Sequence, residues 1–175
     1  MSESQQHHKR MGRTMYALAW VAAMGLLTLY FSDVLDRQRN PNRDVASAVS
    51  DTGVREVVLK RNRMGHYVTT GAINGEKVVF LLDTGATGVA IPAAMAEQLR
   101  LPQGRSVLVN TANGPARSYR TRLGEVSIGD IRLNGVEATI TPGLQTREVL
   151  LGMSFLKYIE FTQRGNTLTL RQYPG

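Results

Sequence analysis

The chain has 175 residues, with 21 Lys and Arg against 14 Asp and Glu and no cysteine. That length holds one domain with appendages. The missing thiols exclude disulfide frameworks, thiolate catalysis and Cys-ligated zinc or iron–sulfur sites. The net charge of +7 lies mostly in the part after residue 53, as Arg scattered along alternating segments. Aromatic residues are not interleaved with these charges as a nucleic-acid stacking platform requires, so no nucleic-acid partner is expected. The excess reads as a solvated basic surface, or as attraction to nearby anionic headgroups.

Residues 1–14 form a polar tail, with Lys9, Arg10 and Arg13 near its end. His7 and His8 are adjacent, not at the spacing of helical metal ligands. From Met15 to Phe31 no residue is charged. This run predicts a single transmembrane helix of about 26 Å, at the short end for a bilayer span. Tyr16, Trp20 and Tyr30 suit the interfacial belts. No small-x-small site closes the run, which ends Leu29-Tyr30-Phe31, so a signal anchor is expected over a cleaved signal peptide. A buried soluble helix is the other alternative, but nothing nearby would cover a helix apolar all round. Basic residues are closer on the N-terminal side, and Asp33 and Asp36 begin the far side. The N-terminus is therefore expected in the cytoplasm and the main domain across the membrane. Residues 32–54, rich in Asp, Arg, Asn and small residues, read as a flexible linker.

From residue 55 to 175 the pattern is one of short strands punctuated by glycine. Strands are expected at Val57–Leu59 and Tyr67–Ile73, then at Lys77–Leu82 after an Asn74-Gly75 hairpin turn. Val89–Ile91 follows, and Pro92 opens a short helix through Leu99. Further strands are expected at Ser106–Thr111, Ala116–Leu123, Val126–Ile128, Ile131–Leu133 and Val136–Thr141. Gly129-Asp130 and Asn134-Gly135 are read as breaks between them. Leu150-Leu151-Gly152 precedes a helical turn, and Ile159–Thr162 with Thr167–Arg171 closes the chain as a hairpin. Many strands and one short helix indicate an all-β, closed or nearly closed sheet.

Within it, Phe80-Leu81-Leu82-Asp83-Thr84-Gly85 sets a carboxylate at the end of a buried strand, where it is costly unless held. The chain has a second DTG triplet at Asp51-Thr52-Gly53, but that one lies in polar sequence and reads as a turn. Peptide hydrolysis by carboxylates needs two of them sharing one proton. Too few positions separate Asp51 from Asp83 to hold a second lobe. If each chain gives one Asp, the other comes from a two-fold-related copy.

Residues 78–99 and 148–156 resemble a retropepsin-like aspartic protease of the membrane-anchored, single-domain bacterial kind. The family joins a Φ-Φ-D-[ST]-G-[AS] strand-turn to a later Φ-Φ-G motif (Φ apolar). Here these are Leu81-Leu82-Asp83-Thr84-Gly85-Ala86 and Leu150-Leu151-Gly152. The resemblance covers roughly residues 55–172 and implies a closed retropepsin-like β barrel acting as a homodimer on peptide or protein substrates. By the same resemblance Asp83 is the catalytic aspartate, and Thr84 and Gly85 form the active turn and dimer grip. Leu150, Leu151 and Gly152 support that turn, and Ala112, Asn113 and Gly114 occupy the tip of the flap. Residues 15–31 would hold the protein in a bacterial inner membrane, with the domain in the periplasm. Retroviral members pair an Asp four residues after the catalytic one with an Arg after the second glycine. Here those positions are Thr87 and Met153, so that ion pair cannot form.

Other chemistries are less supported. His66 lacks the companions of a triad. Ser154 in Gly-Met-Ser-Phe-Leu lacks the second glycine of a nucleophile elbow. Gly85-Ala86-Thr87-Gly88 is not followed by the Lys-Ser/Thr of a phosphate loop. Asp130 and Glu125 read as surface charges, and neither a metal nor another cofactor is implied. The rival reading is a non-catalytic barrel that binds peptide or protein in the same groove.

Overall fold

The computed structural model describes residues 3–111 and 114–174. They fall into two compact units, one ending at Gln38 and the other beginning at Arg39. The first is helical, within α1 (Glu3–Arg39). The stretch Met15–Arg39 is long and apolar enough to cross a membrane, and an 18-residue window within it has a mean hydropathy of 1.7 and is not buried inside the protein. The helix continues well past Phe31. Leu35 and the Asp33–Arg37 pair, 2.9 Å apart at i,i+4, favour continuation. Asn40 precedes a proline, which disfavours the helical region, and the helix stops before it.

The expectation of a flexible linker over 32–54 is corrected accordingly. Residues 32–39 are helical, and β1 (Ser47–Val49) pairs with β2 (Arg55–Lys60). Between them Asn40 and Asn42 are buried. The Asn42 amide nitrogen donates to the carbonyls of Lys60 (2.9 Å) and Val68 (2.7 Å), and its oxygen accepts the Lys60 N–H at 2.7 Å. Polarity suggested solvation, but a buried amide with its partners in place is equally polar in sequence.

The second unit is all-β. It comprises β1, β2, β3 (Tyr67–Ile73), β4 (Glu76–Leu82), β5 (Val89–Pro92), α2 (Ala93–Gln98), β6 (Ser106–Thr111) and β7 (Gly114–Ile128). After these come β8 (Ile131–Thr141), β9 (Val149–Leu151), α3 (Met153–Leu156), β10 (Glu160–Arg164) and β11 (Thr167–Gln172). Asn74 and Gly75 take φ of 52° and 85°, as the hairpin turn between β3 and β4 demands. Two expected breaks are absent. Residues 116–123 and 126–128 belong to one strand, β7, and residues 131–133 and 136–141 to another, β8. The ladder runs through Asn134-Gly135 without losing register, from Glu125↔Asn134 to Leu123↔Val136. Gly135, at φ 66°, absorbs a local distortion there and does not reverse the chain.

The larger sheet runs β3-β4-β9-β5-β8-β7-β6, and β7 pairs back to β3 through Ala72↔Ser127 and Ile73↔Val126. Six strands therefore form a closed ring, with β6 as a branch. The smaller sheet, β1-β2-β11-β10, turns Val57, Leu59, Leu168 and Leu170 into the same core as Ile73, Phe80, Ile128 and Leu151. On β11 Arg171 meets Glu56 at 2.7 Å and Glu160 at 3.4 Å. The Glu56 hydrogen bond, reinforced by its charge, holds the Arg171 guanidinium above its ordinary range. The Tyr173 hydroxyl donates to Glu160 at 2.9 Å, which raises its titration above the usual phenol range.

Candidate active site

Strand β4 carries the apolar run that ends in Asp83. It lies parallel to β9, in the register Phe80↔Val149, Leu81↔Leu150 and Leu82↔Leu151. The two motifs singled out in the sequence are therefore neighbouring strands. Asp83 is the first residue beyond this pair, and its N–H donates to the Leu151 carbonyl at 3.2 Å. The Asp83 carboxylate turns back onto its own loop, where Oδ1 accepts the Gly85 N–H at 2.9 Å. The Ala86 N–H donates to the Asp83 carbonyl at 3.2 Å and closes the turn. Asp83 is half-buried, while Thr84 and Gly85 are exposed. No salt bridge reaches Asp83 among the described residues.

Beneath the turn, Gly152 allows a close approach. A Cβ there would meet the carbonyl oxygens of Gly88 and, at 2.5 Å, Ala86. The first turn of α3 then docks on the loop by its backbone, with Met153 N–H on the Ala86 carbonyl (2.9 Å) and Ser154 N–H on that of Thr87 (3.1 Å). The Ser154 hydroxyl accepts the Val89 N–H at 3.0 Å and donates to the Glu137 carbonyl at 2.9 Å. The sequence reading weighed Ser154 only as a nucleophile and missed this contact. The available signal was a small hydroxyl residue two positions after the second motif's glycine, in a chain lacking the ion pair of that region.

The expected flap falls on the β6–β7 hairpin, whose ladder reaches Thr111↔Gly114. Gly114 has φ 100° and its carbonyl accepts the Thr111 hydroxyl at 2.7 Å. Ala112 and Asn113 lie outside the described residues. Asp51 sits in the turn joining β1 and β2, in exposed backbone closed by Gly53 N–H to the Ser50 carbonyl at 2.8 Å. His66 is exposed. Asp130 accepts the Ser47 hydroxyl at 2.6 Å and Glu125 faces Arg132 at 3.5 Å. Among the described residues no cluster of His, Asp and Glu has the form of a metal site.

The profile of the gag-polyprotein putative aspartyl protease family matches residues 69–158, just over half of the chain and all the elements of the Asp83 turn. The chain belongs to this retropepsin-like aspartic protease family. A solved structure described as a retropepsin-like aspartic protease from Rickettsia conorii superposes with a TM-score of 0.56 at 27% identity, covering 74% of this chain and 95% of that one. An uncharacterized protein in the cobV 5' region of Sinorhizobium sp is 37% identical over 131 residues, which are 72% of this chain and 56% of that protein. A further relative, an uncharacterized protein of Rickettsia prowazekii (strain Madrid E), is 31% identical over 112 residues, covering 61% of this chain and 46% of that protein. The chain thus spans about half the length of the curated relatives it matches.

Proposed function

We propose that the chain is an aspartic endopeptidase whose active unit is a homodimer, each copy giving one Asp83. The observation that carries this reading is the Asp83 turn. One carboxylate oxygen is fixed by the Gly85 N–H, and the backbone beneath is fixed by β9. That leaves a half-buried acid at the end of the ring with no structural cation beside it. A single such acid cannot do the chemistry. In the dimer the two Asp83 carboxylates share one proton, so the ionised member takes a proton from water as that water attacks the peptide carbonyl. The protonated member hydrogen-bonds the carbonyl oxygen, and the tetrahedral intermediate collapses as the leaving amine is protonated. Because the reaction needs one carboxylate ionised and the other protonated, the rate is expected to depend on pH as a bell-shaped curve.

Thr84, exposed beside Asp83, is assigned to the contact between the two turns, and the β6–β7 hairpin with Gly114 to the cover over bound peptide. The apolar stretch of α1 is assigned to a membrane span with the N-terminus in the cytoplasm and the folded unit in the periplasm. Confinement to the membrane plane raises the effective concentration of chains and favours the dimer.

A peptide-library digest compares the wild type with Asp83→Asn. The expected result is cleavage by the wild type and loss of at least about a thousandfold in the variant, as for removal of a catalytic group. The melting transition should be unchanged. Peptidase activity retained in Asp83→Asn, or a wild type that binds peptides without cutting them, overturns the proposal. Protease accessibility of the folded unit in spheroplasts tests the orientation.

A further inference from the structure

We infer that Ser154 is a positioning residue for Asp83, acting through its hydroxyl as the clamp on the exit of the catalytic turn. This rests on the protease reading above. The turn has two ends. At its entrance, the Asp83 N–H is held by the Leu151 carbonyl, and at its middle Ala86 and Thr87 are held by the backbone of α3. At its exit, where the chain enters β5, the Val89 N–H finds a side chain, the hydroxyl of Ser154. That hydroxyl in turn donates a hydrogen bond to the Glu137 carbonyl of β8. Both its donor and one acceptor position are used, so its rotor is fixed.

The geometry is that of a relay inserted into a sheet. β5 and β8 are parallel, with Val89 in register with Ala138. The Ser154 hydroxyl joins the Val89 N–H to the carbonyl one residue before that partner. It thus ties α3, the exit of the turn and β8 at one atom, with a longer contact beside it from the Thr139 hydroxyl of β8 to the Val89 carbonyl at 3.5 Å. The hydroxyl packs against Gly88, where even an added Cβ would stand in ordinary contact, 3.7 Å from the Ser154 Oγ. The positions of the retroviral ion pair hold Thr87 and Met153, which cannot make one, and the serine supplies a fixed connection at the same place. Without it the Val89 N–H and the Glu137 carbonyl lose this partner, and the exit of the turn is held less firmly than its entrance and middle. A small displacement of a reacting group is enough to cost catalysis heavily.

The test uses the full chain in detergent, as wild type, Ser154→Ala and Ser154→Thr, with two readouts. The first is amide hydrogen exchange at Val89 and at Gly85, the N–H that binds the Asp83 carboxylate. The second is steady-state cleavage of a peptide found in the library digest. For Ser154→Ala we expect an unchanged melting cooperativity, exchange at both amides faster by about tenfold or more, and kcat lower by about ten- to a hundredfold with KM within about twofold. Ser154→Thr, which keeps the hydroxyl, should restore both. Exchange accelerated at Val89 but not at Gly85, a loss carried by KM alone, or no recovery with threonine would overturn the inference. If the wild type cleaves nothing, the protease reading fails. The exchange at Gly85 then decides alone whether Ser154 positions Asp83.

Discussion

Gly152→Ala probes the support of the Asp83 turn by sterics alone. The new Cβ would stand 2.5 Å from the Ala86 carbonyl oxygen and nearer still to that of Gly88, both backbone atoms. Contacts below 3.0 Å are essentially never tolerated, so the Ala86 oxygen must retreat by half an ångström or more. That oxygen is the acceptor for the Met153 N–H, at 2.9 Å, and the retreat weakens this bond between two half-buried residues. Overpacking of this kind costs about 1–3 kcal/mol, and a damaged buried hydrogen bond costs about 1–3 kcal/mol more. We expect a loss of about 3 kcal/mol, which for a unit of this size lowers Tm by roughly 10 °C. Urea unfolding followed by circular dichroism measures it. Gly143→Ala is the control, because a Cβ at that position meets nothing within 4 Å. A Gly152→Ala protein within about 0.5 kcal/mol of wild type would refute the packing argument, since that is the range of ordinary surface substitutions.

Three further outcomes follow from contacts away from the turn. Asn42→Ala removes one side chain that satisfies the Lys60 N–H and the carbonyls of Lys60 and Val68. It should cost about 2–4 kcal/mol in the same unfolding assay. Arg39→Met strips the cation from Glu148, whose side chain is 9% exposed against 49% for the arginine. The half-exposed partner limits the loss to about 1–3 kcal/mol, and adding Glu148→Leu should recover most of it. Tyr173 donates to the Glu160 carboxylate, so its phenol is expected to ionise above its ordinary range. A raised pKa means that this contact contributes below the ordinary phenol range and is lost as the pH climbs through the folded value. Ultraviolet titration of the phenolate, with Glu160→Gln moving it back down, checks both direction and cause.

The fold was legible where local chemistry and burial agree. The Asn74-Gly75 turn, the doubly apolar β4 and the final hairpin each state their conformation in a few residues. The end of β4 was legible for the same reason, because an apolar run that stops at Asp83-Thr84-Gly85 states where the strand gives way to a turn. What sequence hid was partnership. Asn40 and Asn42 look like linker until their buried acceptors are known. Asn134-Gly135 looks like a turn until β7 is found holding the strand on both sides. Ser154 reads as an unremarkable serine until Val89 and Glu137 meet it. Each of these is a polar residue whose meaning depends on groups far away in the chain, and periodicity carries no information about such groups.

The relay at Ser154 joins positions 65 apart from Val89, and the ring itself is closed by similarly distant strands. Such pairings form late, because the loop between them must be ordered before any contact rewards it. A nascent chain therefore carries Asp83 with no floor beneath it until β9 and α3 have followed. Assembly of the turn thus waits on residues that follow it by more than sixty positions, in β9 and α3.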